Sequence, residues 1–137
     1  MDSKVIEAVQ SSFEKVKPIS DQAAEIFYSK LFEKDPSLQP LFKGDMKEQG
    51  RKLMSTLALA VSSLTKLDSL IPILQDLGKR HVYYGVSAEM YDTVGSALIE
   101  TLEAGLGKDF TTDVKLAWAE VYYTLADVMK EAAYGVK

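Results

Sequence analysis

The stretch Leu70-Ile71-Pro72-Ile73-Leu74-Gln75-Asp76-Leu77-Gly78-Lys79-Arg80-His81-Val82-Tyr83-Tyr84-Gly85-Val86 decides how the rest of the chain is read. Leu70, Leu74 and Leu77 precede His81 by eleven, seven and four residues. At 100° per residue these side chains fall on one stripe of an α-helix. The stretch predicts an amphipathic helix that points an imidazole into whatever the stripe buries. His81 is the only histidine in the sequence. On this segment alone two readings stand, a packed core histidine or a ligand.

Working outward, Asp68 and Ser69 open this helix, Pro72 is tolerated in its first turn, and Gly85 breaks it. Upstream, Asp2 or Ser3 caps a first helix carrying Val5, Ile6, Val9, Phe13 and Val16 at helical spacing, and Pro18 ends it. Ser20 caps a second helix, with Ala23, Ala24, Ile26, Phe27, Leu31 and Phe32 on a wide apolar face that Tyr28 shares. Asp35-Pro36 starts a short third helix running to about Phe42, and Lys43-Gly44-Asp45 is a turn. From Met46 to Leu64 a long helix places Leu53, Leu57, Ala60 and Leu64 on one stripe. Extended backwards, that stripe reaches Gln49, either buried with hydrogen-bond partners or exposed in a frayed first turn. Downstream, Ser87 caps a helix directing Tyr91, Val94, Leu98, Leu102 and Leu106 inward. Thr111 or Thr112 opens the last helix, whose apolar set is Val114, Leu116, Ala117, Val121, Leu125, Val128 and Met129, with Gly135 as its C-terminal cap. Strand-length β-branched alternation and Asn-Gly or Asp-Gly turns are absent, so the expected class is all-α.

With 137 residues, 47% of them hydrophobic, the chain is expected to form a single domain over 1–137 with a substantial core. It carries 20 acidic and 16 basic residues, a net charge of -4, with no segment of clustered Lys and Arg. Nucleic acid and anionic membrane are therefore not expected partners. The N-terminus lacks the apolar core of a signal peptide, and the most apolar run, Leu53 to Leu64, is too short to span a bilayer, so a cytoplasmic protein is expected.

The same counts restrict the chemistry. No cysteine means no thiolate metal site, no cysteine nucleophile and no Cys-x-x-Cys-His haem attachment. One histidine builds neither a structural zinc site nor His-Glu-x-x-His chemistry. Gly78 stands where the glutamate of a di-iron Glu-x-x-His motif would be, and Gly95, Gly105 and Gly107 follow no strand. What survives is one neutral imidazole as sole protein ligand of a metal whose other ligands are not protein. Haem iron fits, since the porphyrin brings four nitrogens and an apolar ring that fills a helical pocket.

Read in order, the residues Phe27-Tyr28-Ser29-Lys30-Leu31-Phe32, Pro40-Leu41-Phe42, Gln49, Leu77-Gly78-Lys79-Arg80-His81, Gly85-Val86, Tyr91-Asp92-Thr93-Val94-Gly95 and Ala117-Trp118-Ala119-Glu120-Val121-Tyr122 are spaced like a globin. The chain resembles the bacterial single-domain haemoglobins, the haem domain of flavohaemoglobins and the neuroglobins. That resemblance implies a three-on-three helical sandwich around non-covalent haem b. It implies His81 as proximal iron ligand, Phe42 wedged against the ring, and Tyr28, Gln49 and Leu53 as the distal residues meeting O₂. Leu77, Tyr84, Val86, Tyr91 and Val94 are expected on the proximal side or ring edge, and Trp118 and Tyr122 in the packing of the last helix. Lys52 and Arg80 are either propionate partners or solvated charges.

A donor aimed at the partial negative charge of bound O₂ is selectively useful. A phenol and an amide contributing about 1–2 kcal/mol each would slow O₂ loss by roughly ten- to a thousandfold. The implied partners are the diatomic gases O₂, NO and CO. The implied function is tight O₂ binding for scavenging or storage; the alternatives are gas sensing and a nitric oxide dioxygenase served by a separate reductase. With no second histidine, a protein group in the sixth position would have to be Tyr28, Gln49 or Lys52. One departure from the flavohaemoglobin pattern stands out: where a last-helix glutamate would join Tyr91 behind the histidine, this chain has Ala133, with Glu131 two residues short.

Overall fold

The computed structural model describes residues 2–42, 44–83 and 85–135, and for Tyr83 the backbone alone. Among the described residues six α-helices carry the fold: α1 (Ser3–Val16), α2 (Ser20–Lys34), α3 (Met46–Ser62), α4 (Leu67–Tyr83), α5 (Met90–Leu106) and α6 (Thr112–Tyr134). Short 3₁₀ turns occupy Lys17–Ile19, Pro36–Leu41, Leu64–Lys66 and Gly107–Asp109, and there is no strand among the described residues.

Three helix starts are closed by side chains. Asp2 accepts from the Lys4 N–H at 2.8 Å, Asp45 from Lys47 at 2.9 Å and Thr111 Oγ1 from Val114 at 3.2 Å. Each satisfies a donor that the helix leaves unpaired. Gly135 ends α6 in the left-handed conformation at φ 68°, its N–H returning to the Glu131 carbonyl.

Four sequence expectations need correction. Ser20 is not a cap but the first residue of α2. The 3₁₀ turn after Pro18 runs straight into that helix, and the Ser20 N–H is already taken by the Lys17 carbonyl. Ser87 does not cap α5, which begins at Met90. The intervening turn is closed by backbone, Met90 N–H to the Ser87 carbonyl at 3.1 Å. The short third helix is 3₁₀, with Pro40 inside it removing a donor, and it stops at Leu41. Leu116 is 62% exposed. It lies 200° around the helix from the buried Trp118, on the opposite face.

The helices pack three on three. Helix α4 lies along α6, α1 crosses α6 and α5, and α3 lies on α2, while α2 with α5 and α5 with α6 complete the second layer. The α4–α6 approach is close enough to require glycine. A Cβ on Gly78 would stand 2.4 Å from the Met129 carbonyl oxygen.

Two groups of side chains make the core. The larger joins Val9, Phe13, Phe27, Leu31, Leu102 and Trp118, and the smaller gathers Leu70, Leu74, Tyr91, Ala126 and Met129. In the larger, the Trp118 indole N–H donates to Ser12 Oγ at 2.8 Å, and the Ser12 hydroxyl donates to the Ala8 carbonyl at 2.7 Å. Ser12→Ala leaves the buried indole N–H without its acceptor, and a loss of about 1–3 kcal/mol is expected. The urea midpoint should fall at unchanged slope; an unmoved midpoint would mean the indole finds another acceptor.

Candidate functional site

Helices α2 and α3 cross closely at Gly50, where an added Cβ would sit 3.0 Å from Ala24 Cβ. The crossing brings Tyr28, buried on α2, to the first turn of α3. Its phenol donates to the Gln49 backbone carbonyl at 3.3 Å. That is long for an O–H···O bond. The ring is fixed by aromatic neighbours, edge-on to Phe27 and Phe42 at 5.2 Å each and stacked on Phe32 at 6.0 Å. Burial pushes the Tyr28 phenol up to about 12, so it remains a neutral donor throughout the physiological range. Gln49 is half-buried in α3, its N–H on the Asp45 carbonyl. Leu53, one turn further, is also half-buried, and Lys52 is exposed.

On α4 burial lessens toward the C-terminal end. Leu70 and Leu74 are buried; Leu77 and His81 are half-buried. His81 Nδ1 lies 2.7 Å from the Leu77 carbonyl. A carbonyl oxygen only accepts, so Nδ1 carries the proton and the neutral ring has its lone pair on Nε2. Desolvation lowers the His81 pKa below the ordinary imidazole value. The Leu77 carbonyl opposes that shift and the Arg80 charge adds to it. Arg80 is exposed and paired with Asp76 at 3.0 Å.

Tyr91 is buried in the smaller core group, with Leu77 and Val86 packed nearby, while Val94 belongs to the larger group. The Tyr91 hydroxyl has no hydrogen-bond partner among the described residues, and Glu131 is exposed. Tyr84, expected at the ring, and Lys43, expected in a turn, lie outside the described residues. Two contacts were not foreseen. The Tyr134 phenol donates to the Val86 carbonyl, tying the end of α6 to the segment after α4. The Tyr122 phenol donates to the Tyr91 carbonyl at 2.6 Å. A tyrosine in the last turn of the last helix was the only sequence sign of the first.

The chemistry of these positions suits a flat, metal-bearing prosthetic group. Helices α3 and α4 are joined at Leu64–Lys66 but do not pack along their lengths, since α3 packs on α2 and α1 and α4 packs on α6. Tyr28, Phe42 and Leu53 belong to the larger core group, Leu77, Val86 and Tyr91 to the smaller. The expected distal residues Tyr28 and Leu53 thus share one group and the expected proximal residues Leu77, Val86 and Tyr91 the other, with Val94 the exception in the larger group. The donor set is suited to iron as well. An imidazole kept neutral, with Nδ1–H anchored on a carbonyl, is the form that ligates through Nε2. No three His, Asp or Glu side chains gather to hold a metal ion among the described residues. The class these features define is an all-helical protein whose donor set suits a planar, metal-bearing group.

Comparison with known proteins agrees. The globin family model matches residues 25–129. A flavohemoprotein of Oceanobacillus iheyensis is 25% identical over 93% of this chain, and one of Bacillus subtilis is 27% identical over 93%. The chain spans about a third of the length of these two relatives, 32% and 33%. A neuroglobin of Dissostichus mawsoni is 28% identical over 96% of this chain and 91% of its own. The chain belongs to the globin family. It is a haem-binding globin, with non-covalently bound haem b as its prosthetic group. No single described helix is long and apolar enough to cross a membrane.

Proposed function

We propose that this globin binds O₂ tightly, for scavenging or storage, with His81 as the iron ligand and Tyr28, Gln49 and Leu53 facing the gas. The observation that carries this reading is the buried Tyr28 phenol, caged by Phe27, Phe32 and Phe42 and held by one long bond to the Gln49 carbonyl. Haem b supplies, when bound, a ferrous iron that takes a diatomic gas and places partial negative charge on it. Tyr28 answers that charge with a proton it keeps, because burial holds its pKa near 12. The 3.3 Å bond to Gln49 is weak enough to be exchanged for a better acceptor.

Below the ring, His81 offers Nε2, and Leu77, Val86, Tyr91, Val94 and Phe42 supply apolar surface. Lys52 and Arg80 are the proposed propionate partners. Arg80 gives up only an exposed ion pair to serve, a small cost.

Tight binding is favoured over turnover by the proximal side. The Tyr91 hydroxyl has no hydrogen-bond partner among the described residues and Glu131 is exposed, so these two residues do not form the tyrosine–glutamate pair that makes a proximal imidazole more electron-rich. Nitric oxide dioxygenase activity with a separate reductase is the reading this arrangement disfavours. Repeated consumption of NO in the presence of O₂ and an added reductase would reverse that preference. The test of the main reading is Tyr28→Phe, which keeps the aromatic cage and removes the donor. O₂ dissociation followed by stopped flow should accelerate by more than about tenfold, the equivalent of 1.4 kcal/mol. An unchanged rate would mean the phenol does not meet the gas.

A further inference from the structure

We propose that Lys130 sets a positive charge behind the proximal side of the haem site and thereby biases the iron toward the ferrous state that takes O₂. This rests on the haem-pocket reading above.

The stretch of α4 that carries His81 is bracketed by two approaches of α6. Before it, Gly78 lies against the Met129 carbonyl, where an added Cβ would stand 2.4 Å from the oxygen. After it, the Tyr134 phenol donates to the Val86 carbonyl. Residue 130 falls between these two anchors, on the part of α6 that runs beside the imidazole. Its side chain does not stand out into water. Only 23% of it is exposed, and the ammonium lies 6.0 Å from the centroid of the Tyr91 ring. Tyr91 is itself buried, in the core group that Leu77 and Val86 pack against. A cation at this range is attracted by the electron-rich face of the ring, which favours keeping the charge there.

The groups that would cancel this charge lie further out. Asp127 pairs with Lys130 at 3.7 Å, but 73% of its side chain is exposed. Glu89, Asp92 and Glu131, the other carboxylates on these segments, are exposed as well. Water and salt screen them more than they screen the half-buried cation. The Arg80 charge also disfavours a second positive charge on the His81 ring, but Arg80 is exposed and committed to Asp76.

Oxidising haem iron from ferrous to ferric adds one positive charge. A fixed cation beside the proximal ligand opposes that addition, and a carboxylate in its place would favour it. The effect is one of charge, so arginine reproduces it and a neutral side chain does not. Across about one helix spacing at a partly exposed site, a unit charge should change the ferrous-to-ferric ratio by about threefold to tenfold. For a one-electron couple that is about 30–60 mV.

The experiment is a spectroelectrochemical titration of haem-loaded protein without O₂. The Soret band is recorded first, and the midpoint potential is read from the ferric and ferrous bands. Lys130→Gln is expected to lower the midpoint by that amount and Lys130→Glu to lower it further, while Lys130→Arg keeps it. Lys115→Gln, the same change of charge at an exposed position nearer the start of α6, should leave it in place. A midpoint that does not follow the charge at residue 130, or that moves as far in Lys115→Gln, overturns the proposal. So does an equal fall in Lys130→Arg and Lys130→Gln, which would mark Lys130 as a packing residue. If Lys130→Glu takes up haem poorly, Lys130→Gln and Lys130→Arg decide between them. A missing Soret band in the unsubstituted protein defeats the haem-pocket reading and this proposal with it, whereas a normal band with an unmoved midpoint defeats this proposal alone.

Discussion

His81→Ala protein mixed with one equivalent of haemin is expected to show no sharp Soret band and to lose haem to a competing apo-globin within the mixing time. Nothing else in the sequence offers an imidazole or a thiolate. The other side chains named at the site are phenols, of which burial keeps Tyr28 in its weakly ligating neutral form, an amide, the exposed cations Lys52 and Arg80, and apolar groups, none an equal of a neutral imidazole as a donor to haem iron. Apolar contact alone would leave the ring loosely held, which a broad, weak absorption would report. A native-like band in the variant would mean that His81 is a core histidine and nothing more.

Acid should act on the same nitrogen. Because desolvation lowers the His81 pKa, the folded chain favours the neutral ring more than the unfolded chain does. That contribution is fully present above the unfolded value of about 6.5 and is lost as pH falls through the lower, folded value. Haem retention should therefore be flat through neutrality and fail on the acid side, when protons compete for Nε2. Soret absorbance recorded against pH checks this; retention that also falls between about pH 7 and 8 would overturn it.

Gly78→Ala should cost about 2 kcal/mol or more, although alanine is the better helix former by about 1 kcal/mol. The new methyl would lie 2.4 Å from the Met129 oxygen and 2.9 Å from its Cα and carbonyl carbon. These are backbone atoms inside α6, five residues from its C-terminal end, so α4 has to move away as a body. Overpacking against yielding side chains costs about 1–3 kcal/mol, and a rigid backbone puts this site at the upper end, outweighing the propensity gain. The loss is a large share of a stability of about 5–15 kcal/mol. Since His81 follows one turn later, haem affinity should fall along with the denaturation midpoint. A midpoint that stays in place or rises would show that α4 and α6 part without cost.

The helical stripes were legible because their periodicity is long and regular. Val9, Phe13 and Val16 on α1, and Leu70 and Leu74 on α4, are buried where their spacing puts them. Helix starts were less so. Ser20 and Ser87 are good capping residues, but Ser20 lies in a 3₁₀ turn that runs on into α2, and at Ser87 the backbone carbonyl itself accepts from Met90, neither of which a residue-type rule sees. Leu116 misleads for a similar reason, since an apolar side chain on the outer face reads like a core one until the phase is fixed by Trp118.

For the site, periodicity brought His81 to the end of an apolar stripe and left its role open; the resemblance of spaced motifs to globins suggested the role. The Tyr122–Tyr91 bond and the orphaned Tyr91 hydroxyl depend on how α5 and α6 cross, which no local pattern encodes.

The separate supports of α3 and α4 have a consequence for how this molecule can be tuned. The donors proposed to meet the gas, Tyr28 and Gln49, are held at the α2–α3 crossing, and His81 is on α4, which packs on α6. Changes on one side are therefore transmitted poorly to the other, and their energies should sum rather than interact. Ligand affinity and metal attachment are, in effect, two dials on separate shafts, so one can be turned during evolution or engineering while the other stays at its setting.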